Sequence, residues 1–438
     1  MRELREHGVG SVLSSEVLSV LQHFVINNPL FPNLETLRLW SVTGEFVPFI
    51  PLFLSPRTTC VDIAFLGLGP PKTMIASVVT TFSTICPNLR DIDLRFLPRD
   101  PMITAAVSGM LLANNRNTLQ RFHVDSPLTD EASEVIYKLP SLCELSVVVE
   151  RDTLLPPAVL PNLTELRITY DHGGDWLRIF RGATLDNLKT VTFYPGSEQI
   201  GDFLEAFARV ALATSIQNSL STFCLNASCS WNPNYSSLLP FTELTTLVVA
   251  FSCDDGCSST VDDDVLTSLA RTMPQLEHIS LGDAPCQTPT GVTIKGLAAL
   301  AYYCLDLSTL CIHFQVATLD PSAIPRVTSG SGPTTTREDC ALTDFDAGAT
   351  PIQGKSKLMI ALTLLRIFPY IGYIEYFNED WEEVADTIHN SKQVANASSK
   401  GPSLSLPRSK VGDTSPRSRT RGRHLIMGCS LRPGNCVL

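Results

Sequence analysis

Apolar residues recur along this chain in a short pattern, apolar-x-x-apolar-x-apolar, that returns through most of its length. Ten copies fit the pattern well, and they begin at Leu34, Leu89, Leu119, Leu142, Leu163, Leu188, Leu220, Leu244, Leu276 and Leu307. Three weaker copies begin at Thr58, Leu342 and Ile371. Because side chains alternate between the two faces of a strand, the end of each copy predicts a short strand with one buried face.

The spacing of the copies leaves room for a helix after each strand, because successive copies start 21 to 35 residues apart. Amphipathic helices are predicted at Met74–Ile85, Ile103–Ala113, Glu131–Tyr137, Phe203–Ala213, Val265–Arg271 and Ile294–Tyr302. Several copies follow an apolar-Pro-polar sequence such as Phe31-Pro32-Asn33, where proline ends a helix and favours extended backbone. The predicted fold class is therefore α/β, a leucine-rich-repeat solenoid with a curved parallel sheet on its concave side and helices on its convex side.

The pattern also divides the chain. Residues 1–30 are expected to supply the helix of a partial first repeat, and residues 31–391 the irregular solenoid with a capping helix at 380–391. Residues 392–438 are expected to form a basic, disordered tail, because they are rich in Ser, Pro and Gly. The whole chain has 438 residues and a formal net charge of −11, so the part before this tail is strongly acidic. An acidic body argues against nucleic acid as the main ligand.

Composition bears on the cellular location of the protein and on its association with membranes. Apolar residues make up 44% of the chain, yet prolines interrupt the most hydrophobic stretch, so no membrane span and no membrane partner are expected. The first ten residues carry charges and lack the apolar run of a secretory signal, which favours a cytoplasmic and/or nuclear location. The thirteen cysteines are then expected to be thiols.

Motifs that would carry chemistry are weak. Gly67–Thr73 resembles a phosphate loop only faintly, since it lacks the glycine before the lysine and contains two prolines. Cys253 and Cys257 have no second pair at zinc spacing, and Asp262-Asp263-Asp264 is typical of a helix start rather than a calcium loop. No cofactor, no metal and no catalytic site are therefore expected, and the protein is predicted not to be an enzyme.

The residues between the apolar positions are expected to face the concave side and to bind an unidentified protein. The candidate binding residues are Arg38, Trp40, Asp93, Arg95, His123, Arg167, Tyr194 and His278. The N-terminal half of this surface is charged and the C-terminal half nearly neutral, so we expect electrostatic orientation from the first and apolar or hydrogen-bonded contact from the second. The alternative is that these are ordinary solvated strand positions.

The end of the array resembles a known family. The resemblance is carried by Ile360–Pro369, then Ile374-Glu375-Tyr376 and a helix that begins at Trp381. These segments resemble the ending of fungal F-box and leucine-rich-repeat proteins. The resemblance covers roughly Phe31 to Lys392. It implies a substrate receptor of an SCF-type ubiquitin ligase, in which an F-box holds a Skp-type adaptor and the repeats hold the substrate.

The adaptor-binding segment of that family is not recognisable here. An F-box needs roughly 40 residues ahead of the repeats, and the first good copy begins at Leu34. Two hypotheses therefore remain: an F-box-like receptor whose adaptor-binding segment is missing or diverged, or a free-standing leucine-rich-repeat binding protein with no link to ubiquitin ligases.

Overall fold

A computed structural model shows how these repeats pack. It describes residues 2–7, 15–24, 29–65, 71–113, 118–150, 159–170, 176–180, 183–195, 203–228, 233–252, 261–282, 291–316, 340–348, 350–352, 356–376 and 379–399. The chain separates into one unit at Met1–Ser391 and a second at Lys392–Leu438. The repeats form the first unit.

Within the described residues, fourteen strands form one parallel sheet in which every strand pairs with its neighbours along the chain. They are β1 (Glu3–His7), β2 (Thr36–Val42), β3 (Cys60–Phe65), β4 (Asp91–Arg95), β5 (Arg121–Pro127), β6 (Glu144–Val149), β7 (Glu165–Tyr170), β8 (Thr190–Pro195), β9 (Thr222–Ser228), β10 (Thr246–Ser252), β11 (His278–Leu281), β12 (Thr309–Ile312), β13 (Asp344–Asp346) and β14 (Tyr373–Glu375). Each strand is joined to the next by helix or loop, which is the arrangement of a leucine-rich-repeat solenoid. The predicted fold class is confirmed.

The register of the sheet follows the apolar pattern. The second apolar position of every copy, strong or weak, lies in one unbroken row, which runs Leu37, Val61, Ile92, Phe122, Leu145, Leu166, Val191, Phe223, Leu247, Ile279, Leu310, Phe345 and Ile374. Each of these side chains is buried. A slip of one residue would move an entire strand's apolar set to the other face, so burial fixes the register.

Ten α-helices are seen among the described residues. They are α1 (Ser15–Phe24), α2 (Ile50–Phe53), α3 (Lys72–Ile85), α4 (Pro101–Ala113), α5 (Asp130–Ile136), α6 (Phe203–Ala213), α7 (Asp263–Thr272), α8 (Ile294–Tyr303), α9 (Lys357–Ile367) and α10 (Glu382–Ser399). Thr129 and Asp262 cap α5 and α7, because each side chain accepts a hydrogen bond from a backbone N–H of the first turn. The expected helix start at Asp262-Asp263-Asp264 is therefore present.

The core is continuous from repeat to repeat. The leucines that open the ten strong copies are all fully buried, and an aromatic cluster fills the middle of the array between β8 and the helix α6. In that cluster Phe193 lies 4.8 Å from Phe203 and 5.3 Å from Phe207, ring centre to ring centre. Both pairs are edge-to-face, the geometry that the quadrupoles of aromatic rings favour.

Element bounds at the two ends differ from the sequence-based expectation. The segment before residue 30 contributes the strand β1 as well as a helix, and Leu4 of β1 pairs with Leu37. The closing helix α10 begins two residues later than expected, after a 3₁₀ turn at Glu379–Trp381, and runs to Ser399 rather than 391. The rest of the basic tail, like Cys253 and Cys257, lies outside the described residues.

Candidate binding face of the sheet

One face of the sheet carries the residues that lie between the buried positions of each strand, and we call it the polar face. The register aligns these residues in rows. One row runs Arg5, Arg38, Asp62, Asp93, His123, Ser146, Arg167, Thr192, Cys224, Val248, Ser280, Cys311, Asp346 and Glu375. Charged side chains therefore concentrate in its first half and at its last two strands.

Arg95 and Asp93 form the tightest ion pair on this face. Nε and Nη2 of Arg95 donate to the two carboxylate oxygens of Asp93 at 2.8 and 2.5 Å. Burial alone would disfavour the charged carboxylate, but the hydrogen bonds from Arg95 and the proximity of His123 outweigh it and hold the pKa of Asp93 at about 2. The same bonds raise the pKa of Arg95, and the charges of Asp62 and Asp125 add to that effect.

The pKa of Asp62 on β3 is shifted in the opposite direction to that of Asp93. Burial and the adjacent negative charge of Asp93 raise the pKa of Asp62, against the smaller effects of Arg95, Trp40 and Arg38. Its Oδ2 accepts a hydrogen bond from Nε1 of Trp40 at 3.4 Å. Its Oδ1 is buried and has no hydrogen-bond partner among the described residues. The carboxylates of Asp62, Asp93 and Asp125 therefore all interact electrostatically with the guanidinium group of Arg95.

His123 lies between two acids on the next strands. Its Nδ1 is 3.8 Å from Oδ2 of Asp93, and its Nε2 is 3.7 Å from Oε2 of Glu144. The imidazole is 17% exposed, so the contacts are partly shielded from water. The group bridges β4 and β6 across the polar face.

The other arginines of this face also contact acids. Arg121 lies 2.6 Å from Asp91, Arg167 lies 2.6 Å from Glu165, and Arg38 lies 4.0 Å from Glu3. Arg5 contacts the same Glu3 at 2.6 Å. The hydrogen bond to Asp91 raises the pKa of Arg121, and Glu165 raises that of Arg167 although burial opposes it. A ligand therefore meets Arg5, Arg121 and Arg167 already paired, whereas Nε of Arg38 is buried and has no hydrogen-bond partner among the described residues.

Two residues at one edge of the polar face have left-handed backbone. Ser41, directly after Trp40, has a φ of 63°, and Phe96, directly after Arg95, has a φ of 58°. The Phe96 backbone N–H donates to Oδ2 of Asp125 at 3.0 Å. Its ring is 57% exposed, unusual for so large an apolar side chain. Sequence reasoning missed Phe96 because nothing in its neighbours predicts a left-handed backbone.

Of the eight candidate residues, five lie together. Arg38, Trp40, Asp93, Arg95 and His123 occupy β2, β4 and β5, with Asp62 between them. Asp62 was missed because it belongs to a weak copy of the repeat. Arg167 and Tyr194 lie on the neighbouring strands β7 and β8.

His278 lies apart from the other candidates. It is on β11, three strands beyond Tyr194, and its Nδ1 is 3.5 Å from the Ser308 hydroxyl. Further along, the Cys311 thiol donates to Asp346 at 3.3 Å. The structure therefore places His278 in the weakly charged half of the polar face.

The described part of the chain contains no grouping of three or more His, Cys, Asp or Glu side chains that could hold a metal ion. None of its helices combines the length and the apolar character needed to cross a membrane.

Comparison with known proteins adds little. No protein-family model matches the chain, and no curated protein matches it. Among solved structures it is similar to a Bacteroides fragilis protein from a structural-genomics programme, with 13% sequence identity, 61% of this chain and 72% of that chain covered, and a TM-score of 0.31. The assignment of the fold therefore rests on the strand register.

Proposed function

We propose that this protein is a protein-binding scaffold that holds its ligand against the polar face of the sheet. The observation that carries the proposal is the unbroken register of the fourteen described strands, which aligns polar and aromatic side chains in rows, most of them partly exposed. At the usual strand spacing these rows extend roughly 60 Å. Such a length accommodates a standard protein interface, and repeat arrays characteristically use their extended sheet surfaces in this way.

Comparative affinity purification tests the proposal. The full chain would be compared with a polar-face variant, Trp40→Ala/Phe96→Asn/Tyr194→Ala, and with a helix-side variant, Met102→Ala/Leu212→Ala/Tyr302→Ala, in extracts of cells that express the protein. The helix-side residues are likewise apolar or aromatic, and they are more exposed than Trp40 and Tyr194. We expect proteins captured by wild type to be retained by the helix-side variant and lost from the polar-face variant. Loss from the helix-side variant alone would contradict the proposal.

A second candidate function comes from the resemblance to fungal F-box and leucine-rich-repeat proteins, in which this chain would be an F-box-like substrate receptor of an SCF-type ligase. It is favoured by the end of the array, where the resembling segments fall on α9, β14 and the start of α10, with Trp381 fully buried. A pull-down with a Skp-type adaptor tests it. Binding favours the receptor, and no binding favours the alternative, a free-standing leucine-rich-repeat binding protein.

A further inference from the structure

Two aromatic side chains frame one part of the polar face. Trp40 lies two residues before the end of β2 and Phe96 directly follows β4, so the strand β3 lies between the strands that carry them. A left-handed backbone at a residue other than glycine costs about 1 kcal/mol. Phe96 is largely exposed, so burial of its ring offsets little of that cost. Strained backbone that presents a side chain to solvent is characteristic of functional surfaces.

The charges of this region do not balance. Across β2–β6 the polar face carries five carboxylates, Asp62, Asp91, Asp93, Asp125 and Glu144, and three guanidinium groups, Arg38, Arg95 and Arg121. The arginines contact Glu3, Asp93 and Asp91 respectively. Asp62, Asp125 and Glu144 remain without a lysine or arginine ion-pair partner among the described residues. The excess negative charge of this region is therefore available to attract a positively charged ligand.

Asp62 is the carboxylate of this region whose surroundings would most favour a positively charged ligand. Its carboxylate is half-buried beside Asp93, and its Oδ1 lacks a hydrogen-bond donor. A buried carboxylate oxygen without a donor lowers stability. A positive charge placed by a ligand beside the half-buried carboxylate would relieve its repulsion with Asp93. The same charge would lie near the ring of Trp40, whose Nε1 donates to Asp62 and whose face attracts cations.

We infer that the polar face of β2–β6 takes a basic peptide segment, with a lysine or arginine of the ligand at Asp62 between Trp40 and Phe96. The inference rests on the proposed function and specifies the chemistry of the partner. An acidic peptide fits less well, because it would add to the excess of carboxylates and would have to displace Asp91 or Asp93 from the arginines that they contact, while the unbonded Nε of Arg38 is buried. Charge complementarity of this kind selects partners and speeds their association.

Fluorescence anisotropy with the full chain tests the inference directly. The probes are a labelled twelve-residue peptide of alternating arginine and serine and the same peptide with glutamate in place of arginine. We expect the basic peptide to bind and the acidic one not to bind, with affinity that falls as salt rises. Asp62→Asn and Phe96→Asn are each expected to weaken binding about tenfold, the effect of losing roughly 1.4 kcal/mol.

The matched controls lie on the helices. Asp264→Asn removes one exposed acid from α7, and Met102→Asn removes one exposed apolar side chain from α4. Both are expected to change the affinity less than about twofold. Equal weakening by Asp264→Asn and Asp62→Asn, or tighter binding of the acidic peptide, would overturn the inference. That result would leave the scaffold proposal intact, since affinity purification tests it independently.

Discussion

Both carboxylate oxygens of Asp263 bind Thr293 of the following repeat. The Thr293 backbone N–H donates to Oδ1 at 2.7 Å and its hydroxyl donates to Oδ2 at 2.5 Å. Oδ1 also accepts from the backbone N–H of Gly296 at 2.9 Å, so Asp263 satisfies donors at the start of α8. A β-carbon at Gly296 would lie 2.7 Å from the same oxygen, which explains glycine there. One side chain therefore joins two repeats.

Asp263→Ala is expected to destabilise the protein by about 2 kcal/mol, because it leaves the two backbone N–H groups of α8 without their charged acceptor. Asp264→Ala is the matched control, since it removes the same charge one residue later from an exposed position. It is expected to change stability by less than about 0.5 kcal/mol. Urea unfolding followed by circular dichroism measures both, and equal effects would contradict the role of Asp263.

Trp381 closes the last repeat and offers a second test of stability. Its side chain is fully buried, its ring centre lies 5.8 Å from that of Phe314, and its Nε1 donates to the Thr350 carbonyl at 2.8 Å. Trp381→Ala is expected to cost about 3 to 5 kcal/mol, whereas Tyr370→Ala, at a side chain 53% exposed, is expected to be nearly neutral. Thermal unfolding compares them, and a neutral Trp381→Ala would show that the closing helix does not protect the core.

Asp93 is expected to stabilise the protein in a defined pH range. Its folded-state pKa of about 2 lies below the unfolded value of about 3.9, so its contribution is present above pH 4 and is lost as the pH falls towards 2. Asp93→Asn is therefore expected to cost about 2 kcal/mol at pH 7 and much less near pH 2. Urea titrations at both pH values measure this difference, and a cost independent of pH would contradict the account.

Asp62 is expected to behave in the opposite way. Its folded-state pKa is raised above the unfolded value, so its ionised form lowers stability above the folded pKa, and protonation relieves this as the pH falls. Asp62→Asn is therefore expected to increase stability at pH 7 while weakening basic-peptide binding. A variant that is less stable and binds poorly would show that Asp62 has only a structural role.

Buried cysteines provide a test of the core that involves no mutation. Burial raises the pKa of Cys86 and of Cys304 to about 12, so at pH 8 only about one molecule in 10⁴ carries the reactive thiolate at either site. We expect both to resist iodoacetamide in the folded protein and to react after unfolding in urea. Cys143, which is partly exposed, is the internal comparison in peptide mass spectrometry. Rapid labelling of Cys304 in native protein would contradict the packing between α8 and its neighbours.

Features that depend on residues close together in the sequence could be predicted, whereas features that depend on residues far apart in the sequence could not. Leu37, Ile92 and Leu166 were placed correctly because burial with a period of two is a local property of the chain. Charges were placed on the correct face for the same reason. Their pairing was not predictable, because the partner of Arg121 is Asp91, thirty residues away, and its position depends on the register between strands. The backbone of Phe96, held by Asp125, is fixed by tertiary contacts in the same way.

The role of the polar face is tested most directly by hydroxyl-radical footprinting of the full chain with a partner obtained by affinity purification. Aromatic side chains and methionines report strongly in this experiment, and the two faces carry comparable reporters: Trp40, Phe96 and Tyr194 on the polar face, and Met74, Met102 and Tyr302 on the helices. The account predicts protection of Phe96, Trp40 and Tyr194 in the complex with unchanged oxidation of the helix-side residues. Protection confined to Met74, Met102 and Tyr302 would contradict it.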